Sequence, residues 1–287
     1  MSAPDELIGQ VAVVTGGTSG LGRAIALGLA HRGATTVVVG RGTERAATAA
    51  REIAEAAHSR RVDSVGVSDL ALKSDQRALC DELLRRYPKI HLLVNNAGAI
   101  FFRRDVTPEG LERTFALNVL APFVLTERLA PSLRSSGSGR VVNIASAAHR
   151  GRRLDLSDLQ GERHYSGWGA YGRSKLASIL LTREFARRFG SAGPTVNAVH
   201  PGFVRTRFAQ NNGGLFAGAV RFAGWVAGRS VAQGADTALF VAADPSAAGV
   251  SGRYFSDRRV VSGSVASQDP GAARALFDAC ELLARAG

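Results

Sequence analysis

Short apolar runs alternate with amphipathic stretches along most of the 287-residue chain. The runs predict strands over 11–15, 35–39, 62–67, 90–94, 140–145 and 194–199, with another near 252–255. The stretches between them predict helices over 21–32, 44–58, 74–87 and 109–133, and a long helix after Gly169. Continuous apolar strands that alternate with helices form parallel sheets covered on both faces. We therefore expect an α/β fold with a doubly wound parallel sheet of about seven strands and helices on both faces.

Two segments interrupt this rhythm within what we interpret as one domain over residues 1–287. Segments 147–169 and 207–228 both follow the carboxyl end of a predicted strand, where open α/β sheets bind ligands. The first is a candidate substrate wall, and the second a candidate lid. Apolar side chains in and just before the second either line a pocket or pack the core or a subunit contact. They are Phe203, Phe208, Leu215, Phe216, Phe222 and Trp225.

Composition excludes several functional classes. The net charge is +12 and the pI about 11.0, yet the arginines are scattered and no basic stripe interleaved with aromatics is present, which disfavours nucleic acid as the main partner. The two cysteines, Cys80 and Cys280, lack the spacing of a metal site or a disulfide framework. No signal peptide or membrane anchor is recognised. We expect a cytoplasmic protein without a metal.

A glycine-rich turn ends the first predicted strand and opens the first helix. Its pattern is G-x-x-x-G-x-G, formed by Gly16, Thr18, Ser19, Gly20, Leu21 and Gly22. Glycines allow a tight turn and close approach of a pyrophosphate, which the free N–H groups of the helix then bind. This position predicts a Rossmann-like dinucleotide site.

The second strand ends without the carboxylate that holds the adenosine ribose in NAD enzymes. Gly40 and Arg41 stand there instead, and Arg23 can add positive charge from the first helix. An arginine can clamp a 2′-phosphate, so we predict NADP(H). The alternative is that Arg41 is one more solvated arginine.

Tyr171 and Lys175 form a Y-x-x-x-K pair, and Lys175 is one of only three lysines. Four-residue spacing places both side chains on one helical face. A nearby ammonium favours the phenolate, so we expect Lys175 to lower the pKa of Tyr171 towards working pH. Taken alone, the pair can arise by chance.

Further motifs follow in a fixed order: Asn95-Asn96-Ala97-Gly98, Asn118, Ser146, the Tyr171/Lys175 pair and Pro201-Gly202. This order, together with the glycine turn, resembles the short-chain dehydrogenase/reductase family over nearly the whole chain. The run from Ser146 to His149 and the stretch 251–256 are similar to the retinol dehydrogenase branch. Light-dependent protochlorophyllide reductases share some of these motifs, but their substrate pocket is not recognised here. Around Asn118 the chain departs from the branch, which commonly carries histidine and glycine there, so no retinoid is named as substrate.

The resemblance implies a catalytic tetrad of Asn118, Ser146, Tyr171 and Lys175. Tyr171 would donate or accept the proton, with Ser146 as a second donor to the substrate oxygen. Lys175 would also hold the nicotinamide ribose, and Asn118 would anchor a water chain to Lys175.

The resemblance also implies cofactor contacts beyond the glycine turn. Asp69 and Leu70 would meet the adenine, although Asp69 can equally be a helix cap. The ribose would be lined by Asn95, Ala97 and Gly98, and the nicotinamide carboxamide would be met by Pro201, Gly202, Val204 and Thr206. His149, His164, Tyr165 and Trp168 are candidates for the pocket entrance.

Three functions remain open. The first is an NADP(H)-dependent oxidoreductase that interconverts a carbonyl and an alcohol on a lipophilic small molecule, as a possible homo-oligomer. The second is a ketoreductase that tailors a polyketide or other secondary metabolite. The third is a non-catalytic cofactor-sensing regulator on the same scaffold, which would be expected to lack the Tyr171/Lys175 pair.

Overall fold

The computed structural model describes residues 6–202 and 230–285, which form an eight-stranded sheet with helices on both faces. The strand order is 3-2-1-4-5-6-7-8; the first seven strands are parallel and the eighth is antiparallel. The strands are β1 Val11–Thr15, β2 Thr35–Arg41, β3 Val62–Val67, β4 Leu92–Asn95, β5 Arg140–Ile144, β6 Thr195–His200, β7 Tyr254–Ser256 and β8 Arg259–Val260. The predicted fold class is confirmed, with one short strand more than expected.

The helices lie between these strands in the order that a doubly wound sheet requires. They are α1 Gly20–Ala30, α2 Thr43–Ala57, α3 Lys73–Arg86, α4 Arg113–Phe115, α5 Ala121–Ser135, α6 Gly167–Phe189, α7 Val231–Ala243 and α8 Pro270–Arg285. A π-helical turn, Ala116–Leu120, joins α4 to α5. Short 3-10 turns cover Ala147–His149, Leu156–Asp158, Pro245–Ala247 and Val265–Gln268. Neither α7 nor α8 is among the predicted helices. No helix in 6–202 or 230–285 combines the length and apolar character needed to cross a membrane.

The sheet is buried on both faces because its central strands carry apolar side chains at consecutive positions. In β1, Val13 packs into the core under α3, α5, α6 and α8, whereas Val14 packs into the core under α1, α2 and α7. Leu93 and Leu92 divide in the same way in β4. Successive side chains of a strand point to opposite faces, so a run without polar alternation requires helices on both sides.

The apolar stripe of α6 is core packing within one chain. Ala177, Leu181 and Phe185 are buried, and the Phe277 ring of α8 lies 4.9 Å from the Phe185 ring. The Phe277 ring also meets Phe123 of α5 edge-on, at 4.8 Å. The four-residue spacing of Ala177, Leu181, Phe185 and Phe189 is typical of core or subunit packing, and these ring contacts support core packing. The predicted homo-oligomer stays a prediction.

Candidate functional site

The glycine turn forms a cradle between β1 and α1. Gly16 and Gly20 have φ values of +65° and +52°, in the left-handed region that favours glycine. A Cβ on Gly22 would overlap the carbonyl oxygen of Gly16. The backbone therefore closes on itself in a way that only glycines permit, and Ser19, the N-cap residue of α1, is exposed. These features fit the pyrophosphate of a dinucleotide.

The cradle is tied to β4 by Asn96, which belongs to the Asn95-Asn96-Ala97-Gly98 motif but for which no contact was predicted. Its side-chain amide donates to the carbonyl oxygen of Thr15 at 2.9 Å, and the Thr15 hydroxyl accepts from the backbone N–H groups of Asn96 and Ala97 at 3.0 Å each. By contrast, the Asn95 side chain points into the core and donates to Thr126 and Asn143. Its predicted ribose contact is therefore not made by the side chain. The sequence did contain a signal for this difference. Two adjacent residues at a strand end point to opposite faces of the sheet, so only one of the two asparagines can face the cofactor site.

Gly22→Ala tests the cradle. Because the added methyl group would overlap backbone, we expect a loss of about 1–3 kcal/mol in unfolding free energy, typical of overpacking. We also expect weaker NADPH binding, since relief of the overlap moves the turn. Gly42→Ala is the control: unlike Gly22, Gly42 has a positive φ, so alanine there strains the backbone, but its Cβ would meet no atom within 4 Å. It should lose stability without weaker NADPH binding. Urea unfolding and NADPH titration would measure both effects, and equal NADPH affinity of the two variants would contradict the cradle.

The end of β2 explains the missing carboxylate. A Cβ on Gly40 would overlap the Thr18 methyl group of the glycine turn, so no acidic side chain fits there. Arg41 follows and is exposed. Arg23 is engaged by Glu52 of α2, with Nη2 3.1 Å from Oε2. Arg41 is thus the better placed of the two arginines to meet an incoming phosphate.

Asp69 and Leu70 lie after β3. Leu70 is buried, while the Asp69 carboxylate accepts from the Ala71 N–H at 3.0 Å and pairs with Arg113 of α4. The carboxylate closes a turn before α3 and does not cap that helix. Arg113, which pairs with this carboxylate, therefore links the turn to the π-helical segment that follows α4.

That π-helical segment carries Asn118. The Asn118 amide forms two 2.9 Å hydrogen bonds with the backbone of Ala99, and its Nδ2 also donates to Ser174 Oγ at 3.0 Å. Single π-helical turns occur frequently at functional sites. Gly98 lies against this cluster, since a Cβ there would be 3.1 Å from Asn118 Oδ1 and 3.7 Å from Lys175 Nζ. Ser174, which also donates to the Tyr171 carbonyl at 2.7 Å, is a further residue that the sequence did not single out.

Ser146 follows β5 and meets Tyr171 directly. The hydroxyl of Ser146 caps the 3-10 turn by accepting from the Ala148 N–H, and it hydrogen-bonds the Tyr171 phenol. A Cβ on Gly172 would lie 2.8 Å from the Ala148 carbonyl oxygen. Because α6 packs so closely on this turn, the two hydroxyls meet at the carboxyl end of β5. Four predicted catalytic residues thus form one cluster.

The pKa of Tyr171 in this cluster differs from the prediction. Burial raises the pKa of Tyr171 to about 12, and the Ser146 hydrogen bond offsets only part of that rise. Burial also lowers the pKa of Lys175 to about 8. The Lys175 ammonium lies 5.6 Å from the Tyr171 ring centroid and donates to the Ile144 carbonyl at 2.7 Å. The expected lowering of the Tyr171 pKa is therefore wrong, because desolvation of the buried phenol dominates.

Segment 147–169 is anchored at both ends. His149 is fully buried: its Nδ1 lies 2.6 Å from the Ser146 carbonyl oxygen, and its Nε2 accepts from the Ser264 N–H at 3.1 Å. The suggestion that His149 lines the entrance is wrong, since it joins the Ser146 turn to the segment after β8. The Tyr165 hydroxyl lies near Phe101 and Glu112, whereas His164 and Trp168 are exposed.

The remaining nicotinamide contacts are only partly described. Pro201 and Gly202 follow β6 and are half-buried, with Gly202 at φ +78°. Val204, Thr206, the candidate lid 207–228 and its apolar side chains lie outside the described residues. Within 6–202 and 230–285, no group of three or more histidine, cysteine, aspartate or glutamate side chains is arranged to hold a metal ion.

Comparisons with known proteins agree with this geometry. The model of the short chain dehydrogenase family matches residues 10–213. The chain is 40% identical over 276 residues to DnrU of Streptomyces sp. (strain C5), provisionally named a daunorubicin C-13 ketoreductase, covering 95% of this chain and 92% of that protein. It is 35% identical over 294 residues to human retinol dehydrogenase 14, covering 98% and 88%.

A solved structure shows the same similarity in three dimensions. The Pseudomonas aeruginosa RhlG/NADP active-site complex superposes with a TM-score of 0.70 at 26% identity, covering 93% of this chain and 99% of that one. The predicted family and its retinol dehydrogenase-like character are confirmed. The chain belongs to the short-chain dehydrogenase/reductase family and is an oxidoreductase that acts on CH–OH groups.

Proposed function

We propose that this protein is an NADP(H)-dependent oxidoreductase that interconverts a carbonyl and an alcohol on a lipophilic small molecule. The observation that carries the proposal is the hydrogen bond between the Ser146 and Tyr171 hydroxyls beside Gly98 and Lys175. Two hydroxyl donors at one point can bind a carbonyl oxygen while negative charge develops on it. The presence of the whole tetrad argues against a non-catalytic regulator.

Each residue has a role in carbonyl reduction. A bound nicotinamide cofactor supplies the hydride. Tyr171, protonated at neutral pH, gives its proton to the substrate oxygen, and Ser146 stabilises that oxygen with a second hydrogen bond. Lys175 places a positive charge beside the phenol, and Asn118 fixes Ala99 and Ser174 around it. In the direction of alcohol oxidation, the Tyr171 phenolate would take the proton.

NADP(H) is favoured by two observations at the end of β2. The Thr18 methyl group excludes a carboxylate at Gly40, and Arg41 is exposed next to it. The RhlG complex is named for bound NADP, which supports the same choice.

Arg41→Ala tests that choice. Loss of a charge-assisted phosphate contact should raise the NADPH dissociation constant by about 10- to 100-fold, while the constant for NADH changes little. Arg51→Ala, which removes an exposed arginine further along α2, should alter neither constant. Calorimetric titration with both cofactors would measure the constants. Equal weakening of NADPH and NADH would contradict the 2′-phosphate contact.

The relatives' names support the substrate class. One refers to retinol and another to daunorubicin, and the second favours the alternative of a ketoreductase that tailors a secondary metabolite. The test is to incubate the purified protein with NADPH or NADH and a panel of lipophilic aldehydes and ketones, and to follow cofactor oxidation. Turnover with NADPH that depends on Tyr171 is expected. If NADPH binds tightly but no such turnover occurs, the proposal that this protein is an enzyme is refuted.

A further inference from the structure

An exposed tryptophan lies beside the proton donor. Trp168 is in the first turn of α6, three residues before Tyr171, and 40% of its surface is exposed. Its ring lies 6.3 Å from the Tyr171 ring at an interplanar angle of 81°, and 6.1 Å from the Phe102 ring at 53°. Both rings meet the indole at an angle, so neither is stacked parallel to it. Single exposed apolar side chains are common, so what points to a ligand here is the position of the indole next to the proposed proton donor.

The two aromatic side chains come from different segments and are held in place by backbone packing. A Cβ on Gly167 would lie 2.5 Å from the Phe101 carbonyl oxygen and 2.6 Å from Phe102 Cα. The start of α6 thus packs directly on residues 101–102. The Tyr165 hydroxyl donates to that same carbonyl at 2.8 Å, which fixes the segment from the other side. The backbone segments that carry Trp168 and Phe102 are therefore held against each other.

We propose that Trp168 and Phe102 form an aromatic platform that stacks a flat aromatic or conjugated ring next to the reacting carbonyl. This inference rests on the proposed function of Tyr171 and names the substrate class as aryl or conjugated ketones and aldehydes. Offset or edge contacts between aromatic rings stabilise a complex beyond the area they bury. A ring held there would have its carbonyl within reach of the neighbouring phenol, because Trp168 and Tyr171 share one helix.

Two ketones with the same carbon skeleton test the platform. Naphthyl methyl ketone is flat and aromatic, and decalinyl methyl ketone is its saturated counterpart. Their intrinsic reactivities differ, so the measured quantity is the change that a substitution causes in each kcat/KM. Trp168→Leu should lower kcat/KM for the naphthyl ketone about three- to tenfold, mainly through KM, the loss expected for one aromatic pair. The decalinyl ketone should be nearly unaffected, and Trp168→Phe should restore part of the loss.

Leu282→Ala is the control, because Leu282 is an exposed apolar residue of α8, outside the candidate substrate wall, with 71% exposure. It should leave both ketones unchanged. Equal losses for the two ketones in Trp168→Leu, or no loss for either, would overturn the platform.

A binding measurement separates failure of the platform from failure of the proposed function. Dissociation constants of both ketones are measured on protein loaded with NADP⁺, where no reduction occurs. If neither ketone is reduced but Trp168→Leu weakens only naphthyl ketone binding, the platform stands and the proposed function fails. If both are reduced with unchanged selectivity in Trp168→Leu, the function stands and the platform fails. Absence of any Trp168-dependent binding also overturns the platform.

Discussion

Tyr171→Phe is expected to lower kcat for carbonyl reduction by about 10²- to 10⁴-fold, the range for loss of a positioned general acid. The phenol is buried and its pKa is raised to about 12, so it is protonated throughout the neutral range and acts as donor in this direction. Phenylalanine keeps the ring and its contact with Trp168, but it cannot supply the proton. NADPH affinity should change little, which a fluorescence titration of both proteins would check.

Tyr87→Phe is the control for loss of a tyrosine hydroxyl, because the Tyr87 hydroxyl bonds Asp63 of β3, away from the tetrad. This variant should keep the parent kcat. Alcohol oxidation requires the Tyr171 phenolate, so the oxidation rate of the parent should rise with pH through the alkaline range. If the Tyr171→Phe variant still reduces the carbonyl at the parent rate, another group must supply the proton.

Lys175→Met is expected to stabilise the cofactor-free protein at pH 7 while it abolishes most activity. Burial lowers the pKa of Lys175 from 10.5 to about 8, so the folded chain bears a cost of about 3 kcal/mol for the ammonium at neutral pH. Methionine removes that cost but also the bond to the Ile144 carbonyl, worth about 1 kcal/mol. The net gain in unfolding free energy should be about 2 kcal/mol.

The sign of this gain should reverse with pH. Between pH 8 and 10.5 the unfolded lysine holds a proton that the folded one has lost, so the stability of the parent rises with pH across this window. The advantage of methionine therefore shrinks, and near pH 10.5 only the missing hydrogen bond remains. Urea unfolding of both proteins at pH 7 and pH 10 measures the change. A difference that does not vary with pH would contradict a buried ammonium.

Much of the fold could be predicted because its strands are continuous apolar runs. The limits of β1 and β3, Val11–Thr15 and Val62–Val67, match the prediction, and the other strand limits shift by a few residues. The helix expected over 109–133 begins later. Gly110 has a φ of +80° and Glu112 caps α4, so a turn occupies the predicted first residues. A local pattern does not show which glycine adopts a positive φ.

The sequence predicted which residues form the candidate site, but it did not predict the pKa of Tyr171 or the buried position of His149. Ser146, Tyr171 and Lys175 come together because β5 and α6 are adjacent, which follows from the strand order. The raised pKa of Tyr171 depends on how completely surrounding elements exclude water, and spacing along one helix carries no information on that. The same applies to His149, whose partner Ser264 is 115 residues away in the sequence.

Because α8 packs on α6, α6 cannot reach its native packing until the end of the chain has been synthesised. Arg188 at the end of α6 pairs with Asp278 of α8, ninety residues later. Phe185, on the helix that carries Tyr171 and Lys175, has no Phe277 to pack against until that later segment leaves the ribosome. During synthesis this apolar face is open to chaperones and to aggregation. The helix that carries the proposed proton donor is thus among the last parts of this protein to acquire its native surroundings.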